Sequence, residues 1–166
     1  MAQLTNLESK LGEVVGLAMA AQDAGQKVTK LAKSDGNEDL VRKLERMRDE
    51  AKETEERGTE VAAAFQGKKT AILDEAREVK QKAQKMIKTY LDGASDSLDG
   101  FEFLTMAEAG EVGHWEILGT LNERARRGEV SELVDWALPI QKRHLDTVRN
   151  ASLALACEED PNETSS

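Results

Sequence analysis

Glu111 and His114 are the first residues of this chain whose types and spacing could do chemistry, because they form an E-x-x-H pair. That spacing places two side chains able to bind metal on one face of a helix. Leu104 and Leu118 lie seven residues on either side of Glu111, so the acid points where a core residue is expected. Because a carboxylate and an imidazole are costly to bury without partners, the pair predicts a site inside the fold.

A second pair repeats the pattern further along the chain. Gln141 and His144 form a Q-x-x-H pair, and Val134 and Val148 lie seven residues on either side of Gln141. The short turn expected at Gly128 predicts that the helices carrying the two pairs pack antiparallel.

Counting outward from Gly128 places both pairs at one height. Glu111 and His114 lie 17 and 14 residues before this glycine, and Gln141 and His144 lie 13 and 16 residues after it. At a rise of about 1.5 Å per residue, the count predicts that Glu111 faces His144 and that His114 faces Gln141.

Two explanations of this cluster stand side by side. A metal ion would satisfy several of the polar groups at once, and two imidazoles with one carboxylate suit iron, manganese or zinc. In the second predicted helix, Glu55 lies on the seam with Val41 and Ala62 and is the candidate bridging carboxylate. The candidate metal ligands are Glu111, His114, His144, Gln141 and Glu55. Alternatively, hydrogen bonds among these side chains form a structural polar layer that fixes helix register.

Long amphipathic stretches must position these residues. Aromatic residues make up 4% of the chain, charged residues 33%, and there are two prolines, which is typical of a helical bundle. A T-x-x-E capping box at Thr5 and Glu8 marks the first helix start. We expect an all-α antiparallel bundle of four to five long helices, one domain over residues 1–157 and a disordered acidic tail at 158–166. The predicted helices cover about 5–33, 37–65, 70–91, 99–128 and 131–157.

Charge and composition restrict the partners. The net charge of −9 argues against nucleic-acid and anionic-membrane partners, which bind clustered cations. The apolar runs are too short for a membrane span, and the start of the chain has no apolar secretory segment, so we expect a cytoplasmic protein. Small residues of the first helix, including Gly12 and Gly16, would let another helix approach closely and leave a homo-oligomer open.

The stretch His114-Trp115-Glu116-Ile117, followed by Gly119-Thr120-Leu121, resembles the third main helix of the ferritin-like superfamily. Within that superfamily, it resembles in particular the YciF-type stress-associated ferritin-like proteins. The resemblance implies a carboxylate-bridged di-iron or related centre and a role in iron handling or the oxidative-stress response. Since family members take a glutamate from each of two helices and E-x-x-H from the other two, Gln141 makes this an atypical or reduced site. The alternative is a non-enzymatic bundle for stress protection or interaction.

Overall fold

Five long helices account for most of the chain. The computed structural model describes residues 3–164, and within them there is no β-strand. The helices are α1 (Asn6–Ser34), α2 (Glu38–Ala63), α3 (Lys69–Leu91), α4 (Ser97–Ala125) and α5 (Gly128–Ala156). The all-α bundle predicted from the sequence is therefore confirmed. In the described part of the chain, no helix has an apolar stretch long enough to cross a membrane.

Four of the helices form a closed ring, and the fifth lies outside it. The ring runs from α1 to α2, from α2 to α5, from α5 to α4 and from α4 back to α1. Outside the ring, α3 packs along α1 and touches α2 and α4 only lightly. Because α1 contacts three helices, Leu11, Val14 and Ala18 on it are fully buried.

Side-chain caps begin α1 and α2 where the sequence predicts. Thr5 and Glu8 form the capping box: the Glu8 backbone N–H donates to Thr5 Oγ1 at 3.2 Å, and the Thr5 N–H donates to Glu8 Oε2 at 2.7 Å. In the next helix, Asn37 Oδ1 accepts a hydrogen bond from the Leu40 N–H at 3.2 Å. These bonds satisfy N–H groups that a helix leaves free at its start.

The turn between α4 and α5 lies earlier than predicted. Gly128 is the first residue of α5 rather than the end of α4, which stops at Ala125. Arg126 takes the left-handed conformation, with φ of 57°. Asn122 holds the turn, since its Nδ2 donates to the Arg127 carbonyl at 2.9 Å and its Oδ1 accepts from the Arg127 N–H at 3.1 Å. A buried asparagine thus closes the turn, while Arg126 occupies the left-handed position where glycine is the usual choice.

Two glycines of α1 allow its backbone to lie directly against α3. A Cβ atom on Gly12 would lie 2.7 Å from the carbonyl oxygen of Ile72, and one on Gly16 would come even closer to that of Ala76. No side chain fits there unless the helices separate. The predicted close approach of another helix to the small residues of α1 is therefore observed, and the helix involved is α3 of the same chain.

We predict that Gly16→Ala destabilises the fold, because its methyl group would push α3 away from α1. The matched variant is Gly113→Ala, where an added Cβ meets no atom within 4 Å. Gly113→Ala should raise the free energy of unfolding by about 0.5–1 kcal/mol through helix propensity. Gly16→Ala should lie about 1–3 kcal/mol below wild type in urea unfolding. Equal stability of the two variants would contradict the close packing.

Candidate functional site

Four buried polar side chains of α4 and α5 lie together inside the ring, and we call them the polar layer. They are Glu108 and Glu111 of α4 and Gln141 and His144 of α5, each between 1% and 4% exposed. Glu50 of α2 borders the layer on one side. Because buried polar groups without hydrogen-bond partners are costly, these side chains must form hydrogen bonds with one another or bind a ligand or ion.

The pairing across the layer differs from the one predicted by counting. Glu111 contacts Gln141, and His144 Nδ1 lies 3.7 Å from Glu108 Oε2. The count predicted Glu111 opposite His144. Because the turn is centred before Gly128, each residue of α4 faces a partner about one helical turn earlier in α5.

The imidazole of His144 lies between two carboxylates. Glu50 Oε2 is 3.6 Å from its Nε2, on the opposite side of the ring from Glu108. Both distances exceed those of a direct hydrogen bond, so the contacts are electrostatic. Glu50 is also held by Arg143, whose Nη1 donates to Oε1 at 3.1 Å, and by Arg46, whose Nε donates at 2.9 Å.

Burial raises the pKa of Glu111 well above its ordinary value. The negative charge of nearby Glu108 raises this pKa further, while a hydrogen bond with Gln141 opposes the rise. The environment of Glu111 therefore favours the neutral carboxyl form at pH values where an exposed glutamate is ionised.

Two of the predicted ligands lie outside the polar layer. His114 faces α1, where its Nδ1 is 3.1 Å from Glu13 Oε2 and 3.2 Å from Lys10 Nζ. This one nitrogen can donate to the carboxylate or accept from the ammonium, but not both. Between α1 and α2, Glu55 Oε2 accepts a hydrogen bond from Gln22 Nε2 at 2.5 Å.

The five predicted ligands therefore do not surround one point. The layer contains Glu111, Gln141 and His144, whereas His114 and Glu55 have partners on α1. Within residues 3–164, no three His, Cys, Asp or Glu side chains are arranged to hold one metal ion. This arrangement does not fit the di-iron centre that the ferritin-like resemblance implies.

Sequence reasoning missed two residues of this region, Glu108 and Glu50. Glu108 could have been found, since it lies seven residues from both Phe101 and Trp115, which are fully buried. No comparable signal marks Glu50, which belongs to a highly charged stretch of α2. Only the packing of α2 against α5 brings it to His144.

Comparison of the chain with profiles of protein families, with curated protein sequences and with solved structures gives no significant match.

The raised pKa of Glu111 predicts how stability depends on pH. In the unfolded chain Glu111 should ionise near its ordinary pKa of 4.5, whereas in the fold it holds its proton to higher pH. Its stabilising contribution is thus full below pH 4.5 and is lost as pH rises through the folded-state pKa. Urea unfolding of wild type and Glu111→Gln at several pH values should show wild type losing stability relative to the variant as pH rises. If the free energy of unfolding changed with pH equally in wild type and in Glu111→Gln, the raised pKa of Glu111 would be contradicted.

The two histidines should differ sharply in their importance for stability. We expect His144→Ala to lower the free energy of unfolding by about 2–4 kcal/mol, because it opens a cavity and leaves Glu108 without its neighbour. His114→Ala should cost less than about 1 kcal/mol, since that side chain is 38% exposed and its ion pair is partly solvated. Urea unfolding of both variants at one pH measures the difference. A larger loss of stability in His114→Ala than in His144→Ala would contradict the burial of His144 and the partial exposure of His114.

Proposed function

We propose that this chain is a non-enzymatic helical bundle that acts by binding a partner, and that its polar layer is structural. The separation of the candidate ligands carries the proposal, because His114 and Glu55 each have partners away from Glu111 and His144. Burial of the layer adds to this, since side chains that are at most 4% exposed give a substrate no direct access.

Much of the charge of the layer is met within the chain. Glu111 as a neutral carboxyl contributes no charge, and Arg143 and Arg46 neutralise Glu50. The imidazole of His144 fills the space between two acids, with Nδ1 toward Glu108 and Nε2 toward Glu50. A layer of this kind fixes the register of the helices that share it, at some cost in stability.

The ring of α1, α2, α5 and α4 supports a ferritin-like scaffold within this proposal. Gln141 stands where the ferritin-like pattern has a glutamate, which agrees with a metal site that has been replaced by a structural layer. The resemblance to stress-associated ferritin-like proteins makes stress protection the cellular role that we propose.

One observation favours a second candidate, a reduced metal site for iron handling or oxidative-stress defence. Four buried atoms of the layer have no hydrogen-bond partner in the described residues: Glu108 Oε2, Glu111 Oε2, Gln141 Oε1 and His144 Nε2. Such atoms are rare in folded proteins, and here they share one layer. Side-chain rearrangement around Glu108, Glu111 and His144 would be needed to bind one ion of iron, manganese or zinc.

Metal analysis separates the two candidates. We expect protein purified without an affinity tag, then incubated with ferrous iron, manganese or zinc and desalted, to retain far less than one ion per chain. A chelator should leave its Tm unchanged, because no ion supports the fold. The double variant Glu108→Gln/Glu111→Gln should behave in the same way, and His114→Ala is the control outside the layer. About one ion per chain in wild type and in His114→Ala, lost in the double variant, would establish the metal site instead.

A further inference from the structure

Four of the five large apolar side chains that are exposed in the described residues lie on α3 and α4. They are Met86 and Tyr90 of α3 and Met106 and Ile117 of α4, each between 44% and 54% exposed. Met86 and Met106 flank an apolar cleft of about 210 Å³ between α1, α3 and α4. Large apolar side chains gathered in this way are typical of a surface that binds another protein. We call the exposed side of these two helices the α3–α4 face.

The exposed line along α4 has bulky side chains at both ends and none in the middle. Met106, Gly110, Gly113 and Ile117 follow one another at intervals of four, three and four residues, so they lie on one side of the helix. A Cβ atom added to either glycine would meet no atom within 4 Å. The middle of the line is therefore open, and another helix could approach the backbone of α4 closely there.

These four residues are arranged symmetrically about one point of α4, the midpoint between residues 111 and 112. Gly110 and Gly113 are equally far from this midpoint, and so are Met106 and Ile117. When a helix packs antiparallel against a copy of itself across a twofold axis, residues equally far from the axis face one another. An axis at this midpoint would place Met106 beside Ile117 of the second copy and Gly110 beside its Gly113.

The charges near the ends of the line agree with the same axis. Arg124 and Asp99 are also equally far from the midpoint, and Glu102 lies one helical turn from Asp99. Among residues 3–164, no ion pair includes any of these three side chains. Across the axis, Arg124 of one copy would lie near both carboxylates of the other. The line is therefore complementary in charge to a second copy of itself.

We propose that two copies of this chain form a symmetric dimer through the α3–α4 face, with α4 packed antiparallel against α4 of the second copy. A small molecule in the cleft would leave Gly113 and Ile117 uncovered, because neither residue lines it. A second copy covers both. This inference goes beyond the proposed function, because the contact uses none of the buried side chains of the polar layer.

The size of the face suits a dimer. From residue 99 to residue 124 the line is about 37 Å long, and α3 and α4 together are about 20 Å wide. These dimensions enclose roughly 700 Å², which is close to the roughly 800 Å² that each partner contributes to a standard protein interface.

Sedimentation of the full chain over a range of concentrations tests for the dimer. The net charge of −9 on each copy opposes association, so we expect a monomer–dimer equilibrium with a Kd of about 1–100 µM. A chain that stays monomeric up to about 1 mM would overturn the proposal. So would an assembly larger than a dimer, because a twofold contact closes on itself.

Matched substitutions of exposed apolar residues test the place of contact. Ile117→Glu should weaken dimerisation by about tenfold or more, because it puts a charge against Met106 of the second copy. Leu153→Glu is the control, since Leu153 is exposed on α5, outside the face, and its Kd should stay within about twofold of wild type. Far-UV circular dichroism checks that each variant folds, and Met106→Glu replaces Ile117→Glu if that variant does not. Equal Kd values in the face variant and the control would overturn the assignment.

Charge reversal tests the electrostatic match. Arg124→Glu should weaken dimerisation by about tenfold or more, because the new carboxylate lies near Asp99 and Glu102 of the second copy. Adding Glu102→Arg to that variant should bring the Kd back to within about threefold of wild type. Lys52→Glu makes the same charge change at an exposed position of α2 and should have little effect. Failure of the added Glu102→Arg to recover any of the loss would contradict the antiparallel arrangement.

Disulfide formation tests the register. With Cys157→Ser in every chain, Met106→Cys alone and Ile117→Cys alone should form no disulfide-linked dimer under mild oxidation, because the two copies of either residue lie about 16 Å apart along the axis. A mixture of the two variants should form one, since the cysteines then face each other. No linked dimer in the mixture, or an equal amount in either variant alone, would overturn the proposed axis.

Discussion

The direct contact of α1 with the backbone of α3, at Gly12 and Gly16, is the constraint on which the rest of the structure depends. It fixes α3 against one side of α1 while the ring helices α2 and α4 occupy the others. Had α3 instead packed evenly against α1 and α4, it would cover the groove between them. The close contact on one side therefore leaves a cleft of about 210 Å³ open on the other, between α1, α3 and α4.

The fold could be predicted from the sequence because its signals are local. Capping residues such as Thr5 and Asn37 determine helix starts through contacts within one turn, and the heptad spacing of apolar residues determines which faces are buried. The same spacing correctly indicated that Glu111, Gln141 and His144 are buried. Capping contacts and residue spacing do not depend on how the helices pack against one another, so they can be read before the packing is known.

The pairing within the site could not be predicted in the same way. It depends on where the α4–α5 turn is centred, and a shift of about one helical turn gives every residue a different partner across the hairpin. Gly128 was the obvious turn signal, but the side chain of Asn122 closes the turn through two hydrogen bonds to Arg127 before the glycine is reached. His114 shows the related difficulty, since heptad spacing cannot distinguish the face toward α5 from the adjacent face toward α1.

Glu111 is the residue of the polar layer whose burial has the clearest electrostatic consequence, because a second acid, Glu108, is buried beside it. Inside the layer it is favoured as a neutral acid by burial and by the charge of Glu108. A protonated Glu111 has no charge for Glu108 to repel, so the two acids can share one buried layer. Raising the pH through the folded-state pKa of Glu111 would bring that repulsion into the interior, and the cost of the layer to stability would rise with it.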